Sequence, residues 1–275
     1  MANLRKLPQI DELKKLYFGE GLSFKDIADR FSVTLGAVAL QFRHHGVKPR
    51  ARGYDPVHKE YPDWTDPTTK QILLGSLLGD GGLFIQGTHK KTIQYLEGHC
   101  MEQKEYLLWK NKYLKFHYYE YIGKDHCIKG RLIKGRTKSC LSSRWHPELD
   151  KLYAKYYKDG KKNVEAILED MDDVGMLVWY LDDGQYSPIP IQVFFATLSY
   201  NKNEHSHISK WFEKRNISVT IQKIRMHKND EKTYFQTRSY GDNARKIREI
   251  VEKEMIHLQV PVCMRYKIRK KKKKV

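Results

Sequence analysis

The chain has 275 residues, 40% of them hydrophobic, with 18 Tyr, 10 Phe and 5 Trp. That is enough to bury a real core in one large domain or in two or three small ones, which excludes a wholly disordered basic protein. Lys and Arg outnumber Asp and Glu by 51 to 33, a net charge of +18. Eight of those positive charges lie in the last eleven residues, and the rest of the chain still carries +10, so the folded body is expected to meet a polyanion, most commonly nucleic acid. A membrane partner is not expected. The longest strongly apolar run, Ile72 to Leu78, is far short of the ~20 residues a bilayer needs, and the N-terminus lacks a signal-peptide core. Cys100, Cys127, Cys140 and Cys263 form no Cys-x-x-Cys pair, which suits a reducing intracellular compartment (cytoplasm, nucleoid or organelle). His126, Cys127, Cys140 and His146 are spaced like ordinary thiols and histidines rather than like a zinc set.

Residues 1–52 read as a small helical module. Ile10 to Phe18 carries apolar residues at helical spacing, and Gly19 and Gly21 break it. Ser23-Phe24-Lys25-Asp26 is a capping box for a helix from Phe24 to Phe31, with Leu22 and Ile27 as its staple. Thr34 caps a third helix, which Gly46 ends. Val38 and Phe42 face inward there, while Arg43 and His44 lie on the opposite, solvent side. Two capped helices joined by a tight turn, the second basic outside, match a helix-turn-helix, with Arg43 and His44 as DNA-contact candidates. Arg50 and Arg52 follow in a stretch that could lie along a DNA groove. Pro56 and Pro62 then mark a linker over 53–66.

From residue 67 an α+β pattern occurs twice, at weak identity. Asp66 and Pro67 supply a cap and a first-turn proline for a helix from Thr68 to Asp80. Strands near 83–85 and 92–99, a helix over 102–116, strands near 128–134 and 139–144, and a helix over 147–157 follow. The second copy opens with a helix from Asp173 to Asp183. It continues with strands near 191–199, a helix over 204–215, strands over 218–227 and 233–240, and a helix over 243–255.

The two leading helices finish alike. Leu73-Leu74-Gly75-Ser76-Leu77-Leu78-Gly79-Asp80-Gly81 and Met176-Leu177-Val178-Trp179-Tyr180-Leu181-Asp182-Asp183-Gly184 each end an apolar helix in Asp-Gly, 103 residues apart. A carboxylate at a helix C-terminus opposes the macrodipole at a cost of roughly 0.3–1 kcal/mol, so two at equivalent positions call for a compensating cation. Gly75 and Gly79 sit one turn apart and permit close approach of a second helix, which would bring Asp80 and Asp183 out at one end. Two carboxylates there suit two divalent ions on two phosphates.

These two motifs resemble those of the LAGLIDADG homing endonucleases of the single-chain, two-repeat type, over about residues 67–267. The resemblance implies two αββαββα repeats, 67–170 and 171–267, related by a pseudo-twofold axis and forming a saddle over DNA; the residues beyond them, 268–275, read as a basic tail. It implies that Asp80 and Asp183 are catalytic metal ligands, assisted by the carbonyls of Gly79 and Asp182. It also implies site-specific hydrolysis of one phosphodiester per strand, leaving short 3′ overhangs, with Mg²⁺ as cofactor and Mn²⁺ as substitute. Lys162, in a Gly-Lys-Lys stretch, and Lys267, in a Tyr-Lys element, correspond to basic residues that the family places beside its active sites. Ser76 and Leu177 depart from the family pattern, Leu177 standing where a small residue would ease helix contact.

Strand alternation offers DNA-reading candidates at Arg136, Lys138 and Arg144 in the first repeat. In the second they are Gln192, Lys223, Arg225, Tyr234, Gln236 and Arg238, since Arg and Gln make bidentate contacts with guanine and adenine edges. The run Lys270 to Lys274 would add salt-sensitive phosphate affinity without sequence choice. The expected partner is double-stranded DNA, bound by a monomer because both repeats share one chain. A DNA-binding regulator that has lost cutting and an intron maturase that binds RNA are the alternatives. Two acids facing phosphates argue against the first, and RNA-stacking motifs are absent for the second.

Overall fold

Separate apolar cores organise residues 1–61 and residues 62–275 of this computed structural model. It describes residues 6–20, 22–49, 61–87, 92–123, 126–128, 131–133, 135–224 and 234–268, with the backbone alone at 126–128 and 131–133. Arg50, Arg52, Arg225, the 53–60 part of the expected linker, the side chains of His126 and Cys127, and the run Lys270 to Lys274 lie outside the described residues.

In the first unit α1 (Ile10–Lys14) continues into a wider-wound turn, Lys15–Gly19, and is followed by α2 (Phe24–Arg30) and α3 (Leu35–His44). The capping box forms: Ser23 Oγ accepts from Asp26 N at 3.1 Å, and the Asp26 carboxylate accepts from Ser23 N at 2.8 Å. Thr34 Oγ1 accepts from Ala37 N at 3.2 Å, and Gly46, at φ +64°, ends α3. Leu13, Leu16, Ile27, Val38 and Phe42 fill the core. Leu22 and Phe24 pack against it, whereas Arg43 and His44 are exposed.

The second unit begins with α4 (Pro67–Leu78), which Asp66 caps by accepting from Thr68 N and Thr69 N. Next come β1 (Gly82–Gln86), β2 (Thr92–Cys100), α5 (Lys104–Leu114), β3 (His117–Ile122), β4 (His126–Ile128), β5 (Arg131–Ile133), β6 (Thr137–Ser142) and α6 (Pro147–Tyr156). A short hairpin, β7 (Tyr157–Lys158) with β8 (Lys161–Lys162), and α7 (Val164–Asp170) lead to α8 (Asp173–Asp183). The chain then forms β9 (Gly184–Pro188), β10 (Ile191–Phe195), α9 (Lys202–Glu213), β11 (Thr220–Ile224), β12 (Tyr234–Tyr240), α10 (Gly241–His257) and a 3-10 turn, Val262–Lys267. Both four-stranded sheets are antiparallel and share one order, β1-β2-β6-β3 and β9-β10-β12-β11. The αββαββα pattern thus occurs twice.

Two sheet strands differ from expectation: β9 (Gly184–Pro188) forms where no strand was expected, and the first sheet takes a different fourth strand. The fourth strand of the first sheet is β3, not the 128–134 stretch, which contributes only to the separate β4–β5 hairpin. The reason is local. Lys115 adopts a left-handed conformation at φ +51°, and Asn111 bonds both Phe116 N and Phe116 O, so α5 stops and the Tyr-rich segment returns to the sheet. The helix α7 is also additional; Asn163 caps it, and Val164, Ile167 and Leu168 are buried.

Helices α4 and α8 form the centre of this unit, apolar nearly all round and buried on almost every side. Their backbones nearly touch: a Cβ on Gly75 would lie 2.3 Å from Gly175 O and 2.6 Å from Val178 Cβ. Gly175, two residues before Leu177, supplies the small surface of the second helix. Gln71 ties the start of α8 to α4, donating to Asp170 O at 2.8 Å and accepting from Asp172 N at 2.9 Å. Among the described residues no helix is long and apolar enough to cross a membrane.

Candidate functional site

The close pairing of α4 and α8 brings their C-terminal ends together. α4 stops at Leu78, short of the Asp-Gly pair that marks its end in the sequence, and Gly81 N bonds back to Ser76 O at 2.8 Å. Asp80 therefore stands in the turn beyond the helix, 43% of its side chain exposed, whereas Asp183 is the last residue of α8. A Cβ at Gly79 would meet Asp182 Cβ and Oδ2 at 2.5 Å, so only glycine lets the two ends pass. Burial pushes the Asp183 carboxyl up to about 7, and the charges of Asp80 and Asp182 add to the effect, while Lys267 and Lys162 oppose it. The Asp183 carboxylate is thus near enough to feel the charge of Asp80, and the lysines do not fully balance it.

Lys162 and Lys267 reach the same place. Lys162, in the β7–β8 hairpin, donates to Gly79 O at 3.4 Å. Lys267, in the last 3-10 turn, donates to Asp182 O and to Gly184 O, each at 3.0 Å. Tyr180 holds that turn by donating to Lys267 O at 2.7 Å. The carbonyls of Gly79 and Asp182, expected as auxiliary metal ligands, each accept a lysine here. A carbonyl oxygen has two lone pairs, so one remains on each. Burial lowers the pKa of both lysines, against the pull of the surrounding aspartates.

Beneath Asp80 lies a buried charged group that the sequence did not disclose. The Asp182 carboxylate accepts from Lys110 Nζ at 2.8 and 2.9 Å, from Tyr106 OH at 2.9 Å and from Asp80 N at 3.3 Å. Lys110 also donates to Glu97 Oε1 at 2.5 Å, which pairs with His99 Nε2 at 2.8 Å, and Tyr95 OH donates to Glu97 Oε2 at 2.6 Å. His99 Nδ1 lies 3.6 Å from Asp80 Oδ2. Burial alone would neutralise these groups. For Glu97 the charge of Lys110 outweighs it and the pKa falls; for Lys110 the two carboxylates outweigh it and the pKa rises. Burial of His99 is likewise outweighed by its bond to Glu97, and its pKa rises, whereas Asp182 is raised by burial despite Lys110. The available signal was the alternation Tyr95-x-Glu97-x-His99, which puts polar residues on the core face of a strand. Nothing in the sequence pairs them with Lys110 and Asp182.

Donor atoms of Asp80, His99 and Asp182 all lie within 4.8 Å of one another. The oxygen-rich set formed by Asp80, Asp183 and the two helix-end carbonyls fits hard divalent cations. Burial, and after it the charges of Asp80 and Asp182, disfavour the Asp183 carboxylate, and cationic charge there would offset both.

Strand register separates the other candidates. Gln192, Tyr234, Gln236 and Arg238 share one face of the second sheet, opposite the buried Val193, Phe195 and Thr237. Arg238 there donates to Gln236 Oε1 at 2.8 Å, and Gln236 itself is largely covered. Lys223 pairs with Phe235 and so lies on the other face, away from Gln236 and Arg238. In the first sheet Lys138 lies opposite in facing to the buried Ser139 and Leu141, and Arg136 and Arg144 are exposed just outside β6.

The model of the LAGLIDADG DNA endonuclease family matches residues 70–241. The RecA proteins of Mycolicibacterium flavescens and Mycobacterium shimoidei are each 32% identical over 119 residues, 42% of this chain and 26% of theirs. The chain thus spans about a quarter of the length of these curated relatives. In fold it is similar to the homing endonuclease I-WcaI bound to its DNA recognition sequence, with a TM-score of 0.57 at 18% identity, covering 82% of this chain and 96% of that one.

Proposed function

This chain belongs to the LAGLIDADG DNA endonuclease family, and on that premise we propose that it is a site-specific homing endonuclease that hydrolyses one phosphodiester in each strand of a long DNA duplex, leaving short 3′ overhangs. The observation that carries this reading is the convergence of Asp80, Asp183, Lys162 and Lys267 at one end of the α4–α8 pair. Asp80 and Asp183, with the carbonyls of Gly79 and Asp182, would hold divalent cations, Mg²⁺ or Mn²⁺. Bound there, such ions supply Lewis-acid charge to the phosphates and acidify water. The chain's own residues do the rest. The two carboxylates stand one per strand, and the lysines lend positive charge to a phosphorus centre that gains negative charge during displacement.

Lys138, Gln192, Tyr234 and Arg238, on open sheet faces, are proposed to read bases, with Arg136 and Arg144 at their margins; Gln236 supports Arg238 through their mutual bond. Residues 1–52 are proposed as an accessory DNA-binding module with Arg43 and His44 on its exposed face. The presence of both repeats in one chain supports a monomer. The free thiols of Cys100, Cys140 and Cys263 suit a reducing intracellular compartment.

Cleavage selection on a randomised duplex library tests this reading. Discrete double-strand products should appear in Mg²⁺ or Mn²⁺, with binding but no cutting in Ca²⁺, which takes looser, higher-number coordination. A selected complex that forms equally in EDTA, Ca²⁺ and Mg²⁺ and yields no product would overturn it in favour of a binding-only regulator. RNA binding with no site-specific DNA complex would favour a maturase.

A further inference from the structure

The two repeats are not equal beneath their aspartates. Gly82 pairs with Leu96 in the first sheet as Gln185 pairs with Phe194 in the second. Farther along these strands, the positions of Glu97 and His99 correspond to Phe195 and Thr197. Phe195 is packed between Trp179 and Phe212, and Thr197 Oγ1 accepts from Thr237 N at 2.9 Å. The ion group of Glu97, Lys110, Asp182 and His99 therefore has no counterpart at those positions of the second repeat.

We propose that His99 is a positioning residue for Asp80, and that the two cutting centres are unequal because of it: hydrolysis of the strand served by Asp80 depends on His99, while that of the strand served by Asp183 does not. This rests on the nuclease reading above. The geometry has a division of labour. His99 is 1% exposed at its side chain, and its Nε2 is anchored on Glu97, itself fixed by Lys110 Nζ and Tyr95 OH. The ring cannot turn without breaking that anchor. Its Nδ1 edge consequently points at Gln103 Oε1, 3.1 Å away, and at Asp80 Oδ2, 3.6 Å away. Asp80 needs such a stop. It sits beyond the end of α4, where its backbone N–H donates to Asp182 Oδ2 instead of a helical carbonyl, and it is the more open of the two aspartates. Asp183, by contrast, is held within α8, and its carbonyl accepts from Ala196 N at 2.9 Å.

Two substitutions separate the two edges of the ring. In His99→Asn the side-chain amide can occupy the place of Nδ1 and face Asp80, but it cannot reach Glu97. In His99→Gln the amide can reach Glu97 and leaves nothing toward Asp80. The assay uses the full chain and a duplex selected by the wild type, with each strand end-labelled by its own dye. His99→Gln should slow one strand about 10- to 100-fold, the scale of a misplaced reacting group. The other strand should stay within about twofold, so that nicked duplex accumulates, while Ca²⁺-supported binding is unchanged. His99→Asn should keep the wild-type ratio of the two strand rates. His99→Thr, which installs the side chain found in the second repeat, should reproduce the loss on the same strand and is read in its place if the glutamine variant fails to bind. Equal slowing of both strands, or no slowing, in a variant that still binds would overturn the proposal. A wild-type chain that cuts no selected DNA would instead overturn the nuclease reading, and this inference with it.

Discussion

Asp80 and Asp183 can be read from the sequence because each breaks a rule in the same way: an acid where the helix dipole disfavours one, repeated after 103 residues. Asp182 could not be assigned so. Sequence places it beside its neighbour at a helix end, but the α4–α8 crossing turns its carboxylate inward to Lys110 and leaves its carbonyl to Lys267. The expected outcome for Asp80→Asn and for Asp183→Asn is loss of double-strand cutting with DNA binding kept or tightened, since each removes a negative charge facing phosphates. Cleavage and gel-shift assays on one selected duplex check this, and undiminished cutting by either variant refutes the two-aspartate site. Asp183 also links charge to stability. Its folded pKa of about 7 lies above the ordinary 3.8, so between those values the folded chain keeps a proton that the unfolded chain has lost. Metal-free stability from this group is full below the lower value and is lost as pH rises through the upper one. In EDTA, Asp183→Asn should therefore gain on the wild type between about pH 5 and about pH 8, by ~1–2 kcal/mol after allowance for solvent screening. Denaturant melts across that range measure it; a gap that stays flat or narrows contradicts the assigned shift.

At the scale of elements, the capped helices announced themselves, while α7 and the strands β3 and β9 did not. Asp66, Ser23 and Thr34 cap helices that could be placed from their own side chains, because capping is a local interaction. β3 went unread because its start depends on a left-handed residue, Lys115, which has no glycine or proline to mark it. The same holds for the small-residue contact. Gly75 was legible as a site of close approach, but its partner Gly175 lies near the start of α8, where composition alone gives it no special meaning. Gly75→Ala puts a methyl group 2.3 Å from a backbone oxygen, a clash that only separation of the helices can relieve. The expected cost is about 1–3 kcal/mol or more. Because Asp80 and Asp183 emerge from these two elements, cutting should fall further than binding. Thermal melts and paired cleavage and binding assays read both. A variant as stable and as active as the wild type would show that the helices are not held at this contact.

For the whole molecule, the repeat pattern in the sequence reached the structure as two sheets of the same strand order, because apolar periodicity and turn residues report burial wherever it occurs. The inequality between the repeats was hidden, since it arises from pairings between residues far apart in the chain. The proposed division of labour between residues 1–52 and the repeats is open to direct measurement. Leu13, Leu16, Ile27, Val38 and Phe42 close a core of their own, and the repeat unit buries its own side chains around α4 and α8. Each unit therefore has a core of its own, and deletion of residues 1–52 should leave a folded chain that cuts the same phosphodiesters. What the deletion removes is basic residues: Arg43 and His44, both exposed, and in sequence Arg50 and Arg52 as well. Affinity for the selected duplex should fall, and its dependence on salt should become shallower, by roughly 0.9 in log-log slope for each phosphate that the module had neutralised. The position of each cut, which the proposed function assigns to Asp80 and Asp183, should not move. Binding isotherms at several salt concentrations, with cleavage mapping on the same duplex, separate the alternatives. A truncated chain with unchanged salt slope would mean that the module does not touch DNA, and one that folds but cuts elsewhere would mean that it selects the site.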